Sequence, residues 1–280
     1  MSGNLLSYRE DVHTSIGNDG VIKEIFKRLN ISNGYFCEFG AWDGLKGCNS
    51  RLLYESGWKG VFIEPKLNRW LKLKYNYLND QEVKCIRSIV EPDGHKSLKN
   101  IFSKTKVTRD IDFLSIDIDG RDLEIVESLE SIMPKVICME GGQMLDPYHP
   151  PIDKDIAAKN IQQSLSTIES AANLLGYFIA CSYQDTFLIR NDFKHFFPQD
   201  SSILEIYFEG LRNSPRRLPW ILKIVNDQGL DNEIIKMILD QSNFKHYGFE
   251  NRAKWHTDNL DYIGESISNV EKFFITKKQQ

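Results

Sequence analysis

Two carboxylates and a glycine stand together where the first predicted strand of the chain ends. Glu38, Gly40 and Asp43 form the pattern E-x-G-x-x-D, which begins inside the aromatic-rich segment YFCEF. A glycine after a parallel strand lets the backbone come close to a bound cofactor. The dinucleotide pattern G-x-G-x-x-G has one more glycine and lacks the two carboxylates. Because carboxylates repel a pyrophosphate and attract cations, this loop favours a ligand that carries positive charge.

A third carboxylate follows the second predicted strand. Glu64 comes directly after the apolar segment GVFI and is followed by Pro65. An acidic side chain about twenty residues after the glycine loop accepts hydrogen bonds from ribose hydroxyls in folds of this kind. Each element by itself also fits a glycine turn with solvated acids. Together they predict a bound nucleoside, and the sulfonium and amino groups of S-adenosylmethionine (SAM) suit the carboxylates better than a dinucleotide does.

Further acidic residues follow the fourth and fifth predicted strands. Asp117 and Asp119 lie in SIDIDGRD, where an extended backbone would point both to the same side, and Glu140 ends VICME. A carboxylate among like charges has a raised proton affinity and suits a general base that activates a hydroxyl. The oxygens of Asp117 and Asp119 could instead hold Mg²⁺ or Ca²⁺. The alternative is that Asp119 and Asp122 only cap the next helix.

A histidine lies in the irregular stretch that follows the fifth strand. His149 is part of DPYHPP, within residues 141–158, which are rich in glycine and proline. Long irregular loops in compact domains often bind ligands. Imidazole can act as a general base near neutral pH, although a lone histidine on a loop is more often solvated. The candidate catalytic residues are therefore Asp117, Asp119, Glu140 and His149.

Alternating strands and helices are predicted to position these residues. After a leading helix from Asn18, we predict strands at 35–39, 60–63, 83–86, 111–118, 136–140, 177–181 and 186–189, with helices between them that include 123–132 and 161–175. Strands that alternate with helices indicate a parallel sheet covered on both faces. The fold class is therefore α/β, a Rossmann-like, doubly wound, mostly parallel seven-stranded sheet with a terminal antiparallel strand and a C-terminal helical appendage.

Composition narrows the functional classes. The 280 residues carry a formal net charge of −4, which argues against a general nucleic-acid binder. No apolar run approaches the roughly 20 residues of a membrane span, and the first residues do not resemble a signal peptide. The five cysteines form no C-x-x-C pair and are odd in number. We therefore expect free thiols, no zinc site and a cytoplasmic location.

Three segments together resemble a known family. GYFCEFGAWDGLKGCNSRLLYESGWKGVFIEP, DFLSIDIDGRDLEIVESL and VICMEGG are similar to the FkbM-type group of class I SAM-dependent methyltransferases, over about residues 15–190. The resemblance implies that Glu38, Gly40 and Asp43 line the methionine end of SAM. It also implies that Glu64 binds the ribose and that the segment after the third strand edges the adenine. The full set expected to bind the cofactor is Glu38, Gly40, Ala41, Asp43, Asn49, Glu64, Pro65, Ser88, Ile89 and Asp117.

The function expected from this resemblance is O-methylation of a carbohydrate or glycan-type hydroxyl, with carboxylate activation that Mg²⁺ could assist. We expect an N-terminal arm (1–17), a methyltransferase domain (18–191) and a helical region (192–280) that binds the acceptor or forms a homodimer. The expected partner is a small-molecule or glycan acceptor, and no nucleic acid. The alternatives are an NAD(P)-dependent oxidoreductase on the same fold and an inactive SAM-binding or scaffold protein.

Overall fold

The structure is a computed structural model that describes residues 4–107, 110–118, 120–129, 132–143, 145–153, 162–197, 201–214, 221–222, 227, 229 and 260–278. Its strands are β1 (Tyr35–Phe39), β2 (Lys59–Ile63), β3 (Val83–Ile86), β4 (Phe113–Ile116), β5 (Val136–Glu140), β6 (Tyr177–Ser182) and β7 (Asp185–Arg190). Its α-helices are α1 (Asn18–Arg28), α2 (Arg51–Glu55), α3 (Leu67–Asn76), α4 (Leu98–Thr105), α5 (Asp122–Glu127), α6 (Leu165–Leu174), α7 (Ile203–Asn213) and α8 (Leu260–Lys278).

The seven strands form one sheet in the order β3-β2-β1-β4-β5-β7-β6. β1 to β5 pair in parallel, whereas β7 is antiparallel to both β5 and β6. The chain turns between β6 and β7 within two residues, which only an antiparallel pair allows. The predicted fold class is confirmed, including the antiparallel strand.

Each face of the sheet has its own hydrophobic cluster. On one face, Phe26 of α1 packs on Trp58 with 4.6 Å between ring centroids, and Phe36 lies 4.9 Å from Phe62. Alternate residues of β1, such as Phe39, enter the cluster on the other face with α4, α5 and α6. Every residue of β1 is buried because helices cover both faces. β1 therefore lies in the interior, between the two clusters.

The C-terminal helices join the cluster that contains Phe39. α7 begins with a capping box between Ser202 and Glu205 and buries Tyr207 and Phe208. Phe274 of α8 lies 6.3 Å from Phe208, ring to ring, in that same cluster. The described helices beyond residue 192 thus share the core of the sheet. The role predicted for residues 192–280, acceptor binding or formation of a homodimer, stays a prediction.

Three of the elements predicted above differ by more than one residue at an end. β4 is shorter than 111–118, because its ladder ends at Ile116, and α5 covers only Asp122–Glu127 of the helix expected over 123–132. α6 begins at Leu165 instead of residue 161, because the Ser164 side chain caps it by accepting the Thr167 N–H at 3.4 Å. The shorter β4 matters for the site, because Asp117 lies just beyond its ladder.

Two composition-based expectations can be checked on the described residues. All five cysteines are free thiols, as expected. Across the helices of the described part of the chain, none is both long enough and apolar enough to cross a membrane.

Candidate active site

The predicted site residues lie at the carboxyl edge of the parallel strands. The loops after β1, β2, β3, β4 and β5 all leave the sheet at this edge, because parallel strands end on the same side. The chain order reverses between β1 and β4, where the connections diverge to opposite halves of the sheet. Ligands of open α/β sheets bind at such a switch point. The loops after β1 and β4 are therefore the centre of the candidate site.

Gly40 is the residue at which the loops after β1 and β4 come closest. Its φ is +78°, and a Cβ built on it would lie 2.0 Å from the carbonyl oxygen of Asp117. Its N–H donates to the carbonyl oxygen of Ile63 in β2 at 3.1 Å. Only glycine satisfies both the left-handed backbone and the close contact. Gly40 thus ties the ends of three neighbouring strands together.

Glu64 connects the loops after β1 and β2. Its two carboxylate oxygens accept the backbone N–H groups of Trp42 and Lys66, at 3.1 Å and 2.8 Å. Each carboxylate oxygen can accept a second hydrogen bond, so capacity for a ribose hydroxyl remains. The residue is only 1% exposed. A ribose could therefore reach it only if the segment around Trp42 moved.

The backbone of Trp42 lies in the left-handed region. Its φ is +52°, which is unusual for a residue with a large side chain, and its ring is 41% exposed. The neighbouring Ala41 is buried, and Asp43 is half-buried with its Oδ1 accepting the Leu45 N–H at 3.1 Å. Strained backbone of this kind concentrates at ligand-binding sites. The carboxylate of Asp43 thus lies on a loop whose backbone is under strain.

Glu38 lies below this rim, inside the protein. It is 4% exposed, and its carboxylate accepts the N–H groups of Asn49 and Ser50 at 3.0 Å and 2.7 Å and the Cys48 thiol at 3.2 Å. Burial raises the pKa of Glu38, and these hydrogen bonds partly offset that effect. In this conformation the carboxylate holds the loop that leads into α2. A direct contact of Glu38 with a cofactor stays a prediction.

Asn49, expected to bind the cofactor, contacts a polar row that crosses the sheet. The row consists of Glu38, Ser115 and Cys138, which occupy facing positions of β1, β4 and β5. The Asn49 amide donates to Ser115 Oγ at 3.0 Å, and its Oδ1 accepts from Asn18 at 2.8 Å. These bonds fix the glycine loop to the sheet.

Asp117 is an exposed carboxylate at the end of β4. Its N–H donates to the carbonyl oxygen of Phe39 at 3.3 Å, directly beside Gly40. Asp119 lies outside the described residues, so its expected position on the same side as Asp117 stays a prediction. Because the β4 ladder ends at Ile116, strand alternation does not determine that position.

No group of three or more potential metal-ligating side chains occurs among the residues that the structure describes. Since Asp119 is not one of those residues, the Mg²⁺ site expected at Asp117 and Asp119 remains untested.

Glu140 is linked through Gln162 to the buried carboxylate of Asp122, which the sequence also offered as a helix cap. Gln162 donates its Nε2 hydrogens to Asp122 Oδ2 at 3.1 Å and to Glu140 Oε2 at 3.0 Å. Asp122 also accepts the N–H groups of Ile118 and Gly120, so it holds the loop after β4. Burial raises the pKa of Asp122 to about 6. The bridge through Gln162 couples the loops after β4 and β5.

A second titratable carboxylate, Asp185, faces Glu140 from β7. The two residues are register partners, and Asp185 accepts a 2.6 Å hydrogen bond from Asn18. Loss of water raises the pKa of Asp185 to about 7; the bond from Asn18 lowers it, and the charge of Glu140 raises it.

Asparagine at position 185 is expected to flatten the pH dependence of stability. A carboxyl with a raised folded-state pKa stabilises the fold fully below its unfolded value near 4, and this contribution is lost as the pH rises through about 7. Between pH 5 and pH 8 the wild-type protein should therefore lose about 2.5 kcal/mol of stability through Asp185, since the loss is about 1.4 kcal/mol per pH unit between the two pKa values. In Asp185→Asn, the free energy of unfolding measured with urea should not show this decrease between pH 5 and pH 8. An equal pH dependence in both proteins would contradict the assignment.

The remaining predicted residues lie farther along the rim. His149 is exposed, with its ring Nδ1 2.7 Å from the carbonyl oxygen of Pro150, and its own carbonyl accepts from Ser164 Oγ. Ser88 is half-buried and Ile89 is exposed in the loop after β3. The exposed Pro65 accepts a 3.4 Å hydrogen bond from Arg87. The loops after β2 and β3 are thus joined, and an adenine contact there stays a prediction.

Sequence reasoning missed several residues that build the site. Asn18, Ser115, Gln162 and Asp185 shape it but lie outside the glycine and aspartate patterns. Ser115 was detectable, because a serine in the otherwise apolar strand FLSI must find a hydrogen-bond partner when buried. Asn18 and Gln162 carried no such signal, because their partners are 31 or more and 22 or more residues away along the chain.

No protein-family model and no curated protein sequence matches this chain. The similar solved structures include TrmK of M. capricolum in complex with S-adenosylhomocysteine (13% identity, 89% of this chain and 96% of that chain, TM-score 0.42). They include the S-adenosylhomocysteine-bound methyltransferase PaMTH1 of Podospora anserina (11% identity, 63% and 79%, TM-score 0.41). They also include the mitomycin 7-O-methyltransferase MmcR (10% identity, 56% of this chain, TM-score 0.35), of which this chain spans about half the length, 49%. At such identities and TM-scores, the function of this chain has to be argued from its own residues.

Proposed function

We propose that this chain is a SAM-dependent methyltransferase that transfers a methyl group to a hydroxyl oxygen, with a carbohydrate or glycan-type acceptor. The observation that carries the proposal is the contact of Gly40 with Asp117 at the switch point, with Asp43 and Glu64 on the adjoining loops. Dinucleotide-binding sheets have the strand order 3-2-1-4-5-6 and a third glycine in the loop. The antiparallel β7 and the two carboxylates in place of that glycine favour SAM.

The chemistry of the donor set fits the cofactor. Asp43 and Asp117 offer negative charge for an amino group and a sulfonium, and Glu64 has acceptor capacity left for ribose hydroxyls. Gly40 keeps the ends of β1 and β4 close together, so the loops that carry Asp43 and Asp117 leave the sheet side by side. Glu38 and Asn49 position this loop from below. We infer that Ala41, Pro65, Ser88 and Ile89 line the same cleft.

Asp117 is the group that we assign to acceptor activation. When bound, SAM supplies an electrophilic methyl group. The Asp117 carboxylate would take the proton of the acceptor hydroxyl as the hydroxyl oxygen accepts the methyl group, and S-adenosylhomocysteine would be the leaving group. Asp122 and Gln162 hold the loop after β4, so that Asp117 keeps its direction. Glu140 and His149 are the second candidates for this proton transfer.

The proposal also covers a metal, a location and a family. A divalent metal at Asp117 and Asp119 would polarise the acceptor oxygen in place of a free base. The five free cysteines support a reducing compartment, which we take to be the cytoplasm. Membership of the FkbM-type group and a homodimer rest on the sequence patterns alone.

The test is transfer of a tritiated methyl group from SAM to a panel of nucleotide sugars and oligosaccharides, with and without Mg²⁺. The proposal predicts label in at least one acceptor. Label that is lost on treatment with EDTA and restored by Mg²⁺ would assign the metal-assisted route. If the protein bound S-adenosylhomocysteine and labelled no hydroxyl compound, it would be a SAM-binding protein of another function.

Alanine at position 43 is expected to weaken S-adenosylhomocysteine binding by about tenfold. The substitution removes a carboxylate from the glycine loop, and one charge-assisted hydrogen bond contributes about 1.5–3 kcal/mol. Calorimetric titration measures the change. Asp93→Ala, an exposed aspartate before α4, is the matched control and should leave the affinity unchanged. Wild-type affinity in Asp43→Ala would contradict the assignment of this loop to cofactor binding.

A further inference from the structure

Helix α3 carries a row of apolar side chains that face solvent. Leu67, Leu71 and Tyr75, called here the α3 stripe, are 50, 52 and 78% exposed. At about 100° per residue they fall within an arc of about 80° on the helix surface. Leu73 and Tyr77 point the other way and are buried in the core. Helix α3 is thus apolar on two opposite faces, and only one of them has a partner within the described residues.

Basic side chains border the α3 stripe on both sides. By the same helical geometry, Lys72 lies on one flank of the stripe and Lys74 on the other. The segment from Lys66 to Asn76 also includes Arg69 and contains no acidic residue. No ion pair with a carboxylate involves these four cations among the residues that the structure describes. In a chain with a net charge of −4, two lysines without a carboxylate partner among the described residues thus lie beside this stripe.

The loop after β1 extends this surface. The Trp42 ring is 41% exposed and lies 5.6 Å from the Arg69 guanidinium and 5.9 Å from Lys72 Nζ. Leu45 is exposed and lines a shallow depression together with Leu71. Asp43 is the carboxylate of this depression, and its Oδ1 already accepts the Leu45 N–H. The surface therefore combines tryptophan, tyrosine, leucine and lysine beside the candidate site.

We propose that the α3 stripe and its basic flanks dock the protein on an anionic lipid surface. Leucine and aromatic side chains on one arc with lysines at both borders are the pattern of helices that lie in a membrane interface. The lysines reach the negatively charged headgroups while the apolar side chains enter the acyl boundary. The stripe stands on the solvent side of the helix, which suits contact with a deformable lipid surface. This inference does not depend on the proposed methyl transfer.

The experiment is co-sedimentation of the full chain with vesicles. Vesicles of 70% phosphatidylcholine and 30% phosphatidylserine should pellet the protein at 0.1 M NaCl, and binding should fall at 0.5 M NaCl because salt screens the headgroup charge. Pure phosphatidylcholine should pellet little. The pair Lys72→Glu and Lys74→Glu should lower the partition coefficient by at least tenfold, since each basic residue contributes about fivefold. Leu71→Ser with Tyr75→Ser should do the same.

Two matched controls separate docking from general surface effects. Leu174→Ser changes an 89% exposed leucine of α6, and Lys23→Glu with Lys27→Glu changes two exposed lysines of α1. Neither should alter binding, and circular dichroism should show all variants folded. Equal pelleting with both vesicle types, or unchanged binding in the α3 variants, would overturn the proposal. So would concentration-dependent self-association that Leu71→Ser abolishes, because a second copy would then occupy the stripe.

Discussion

Replacing Gly40 with alanine is expected to remove S-adenosylhomocysteine binding almost completely, by more than about 100-fold, and to lower the free energy of unfolding by about 2–4 kcal/mol. A Cβ at this position would lie 2.0 Å from the Asp117 carbonyl oxygen, which is backbone and cannot turn aside. The φ of +78° adds the cost of a left-handed alanine. The ends of β1 and β4 must then separate, and the candidate site separates with them. Calorimetric titration and urea unfolding measure the two effects.

Gly176→Ala is the matched control for this substitution. Gly176 has a φ of +80°, almost that of Gly40, and a Cβ there would have no atom within 4 Å. The control therefore keeps the backbone cost of about 1 kcal/mol and lacks the steric clash. It should bind S-adenosylhomocysteine like the wild-type protein. Equal behaviour of the two variants in both measurements would show that the contact between Gly40 and Asp117 has no role in binding.

The second large effect is expected for Asp117→Asn. The amide cannot take the proton of an acceptor hydroxyl, so kcat should fall by about 10²–10⁴, the usual contribution of a general base. The dissociation constant for S-adenosylhomocysteine should rise by no more than about tenfold, because the amide keeps the size of the side chain. Single-turnover transfer of the tritiated methyl group, with the best acceptor of the panel, measures kcat separately from binding.

Asp43→Asn is the comparison that makes this result informative. Asp43 is assigned to cofactor binding alone, so its variant should raise the dissociation constant and leave kcat at saturation within about threefold. If Asp117→Asn instead changed affinity and left kcat intact, the base would have to be sought at Glu140 or His149. Loss of activity in both variants to the same degree would show a general disturbance of the loops.

Local sequence patterns predicted the strands well, because a strand buried on both faces leaves a short continuous run of apolar residues in the sequence. The segments YFCEF, GVFI and VICME are continuous apolar runs between turn residues, as strands covered on both faces must be. The predicted end of β4, at residue 118, lies two residues beyond the observed end. Residues Asp117 and Ile118 continue the alternation of polar and apolar residues, whereas the ladder stops at Ile116, whose partner Phe39 is the last residue of β1.

The rim of the site was predictable, but the layer beneath it was not. The residue types of Gly40 and Asp43 predict a ligand-binding loop after the first strand. Their spacing from Glu64 predicts that the end of the second strand belongs to the same site. The bridge from Gln162 to Asp122 and Glu140 depends on where α6 begins, which one serine cap decides. The burial of Glu38 likewise follows from the path of residues 48–50. Such long-range polar contacts leave no periodic signal in a single sequence.

The most direct test of the central claim is calorimetric titration of the full chain with S-adenosylhomocysteine, with NAD and NADP as parallel ligands. The proposal predicts micromolar binding of S-adenosylhomocysteine alone, lost in Gly40→Ala and kept in Gly176→Ala. Repeating the titration with Mg²⁺ tests Asp117 and Asp119 as a metal site. Binding of NAD or NADP in place of S-adenosylhomocysteine, or binding of none of the three, would contradict the claim that the loops after β1, β2 and β4 form a SAM site.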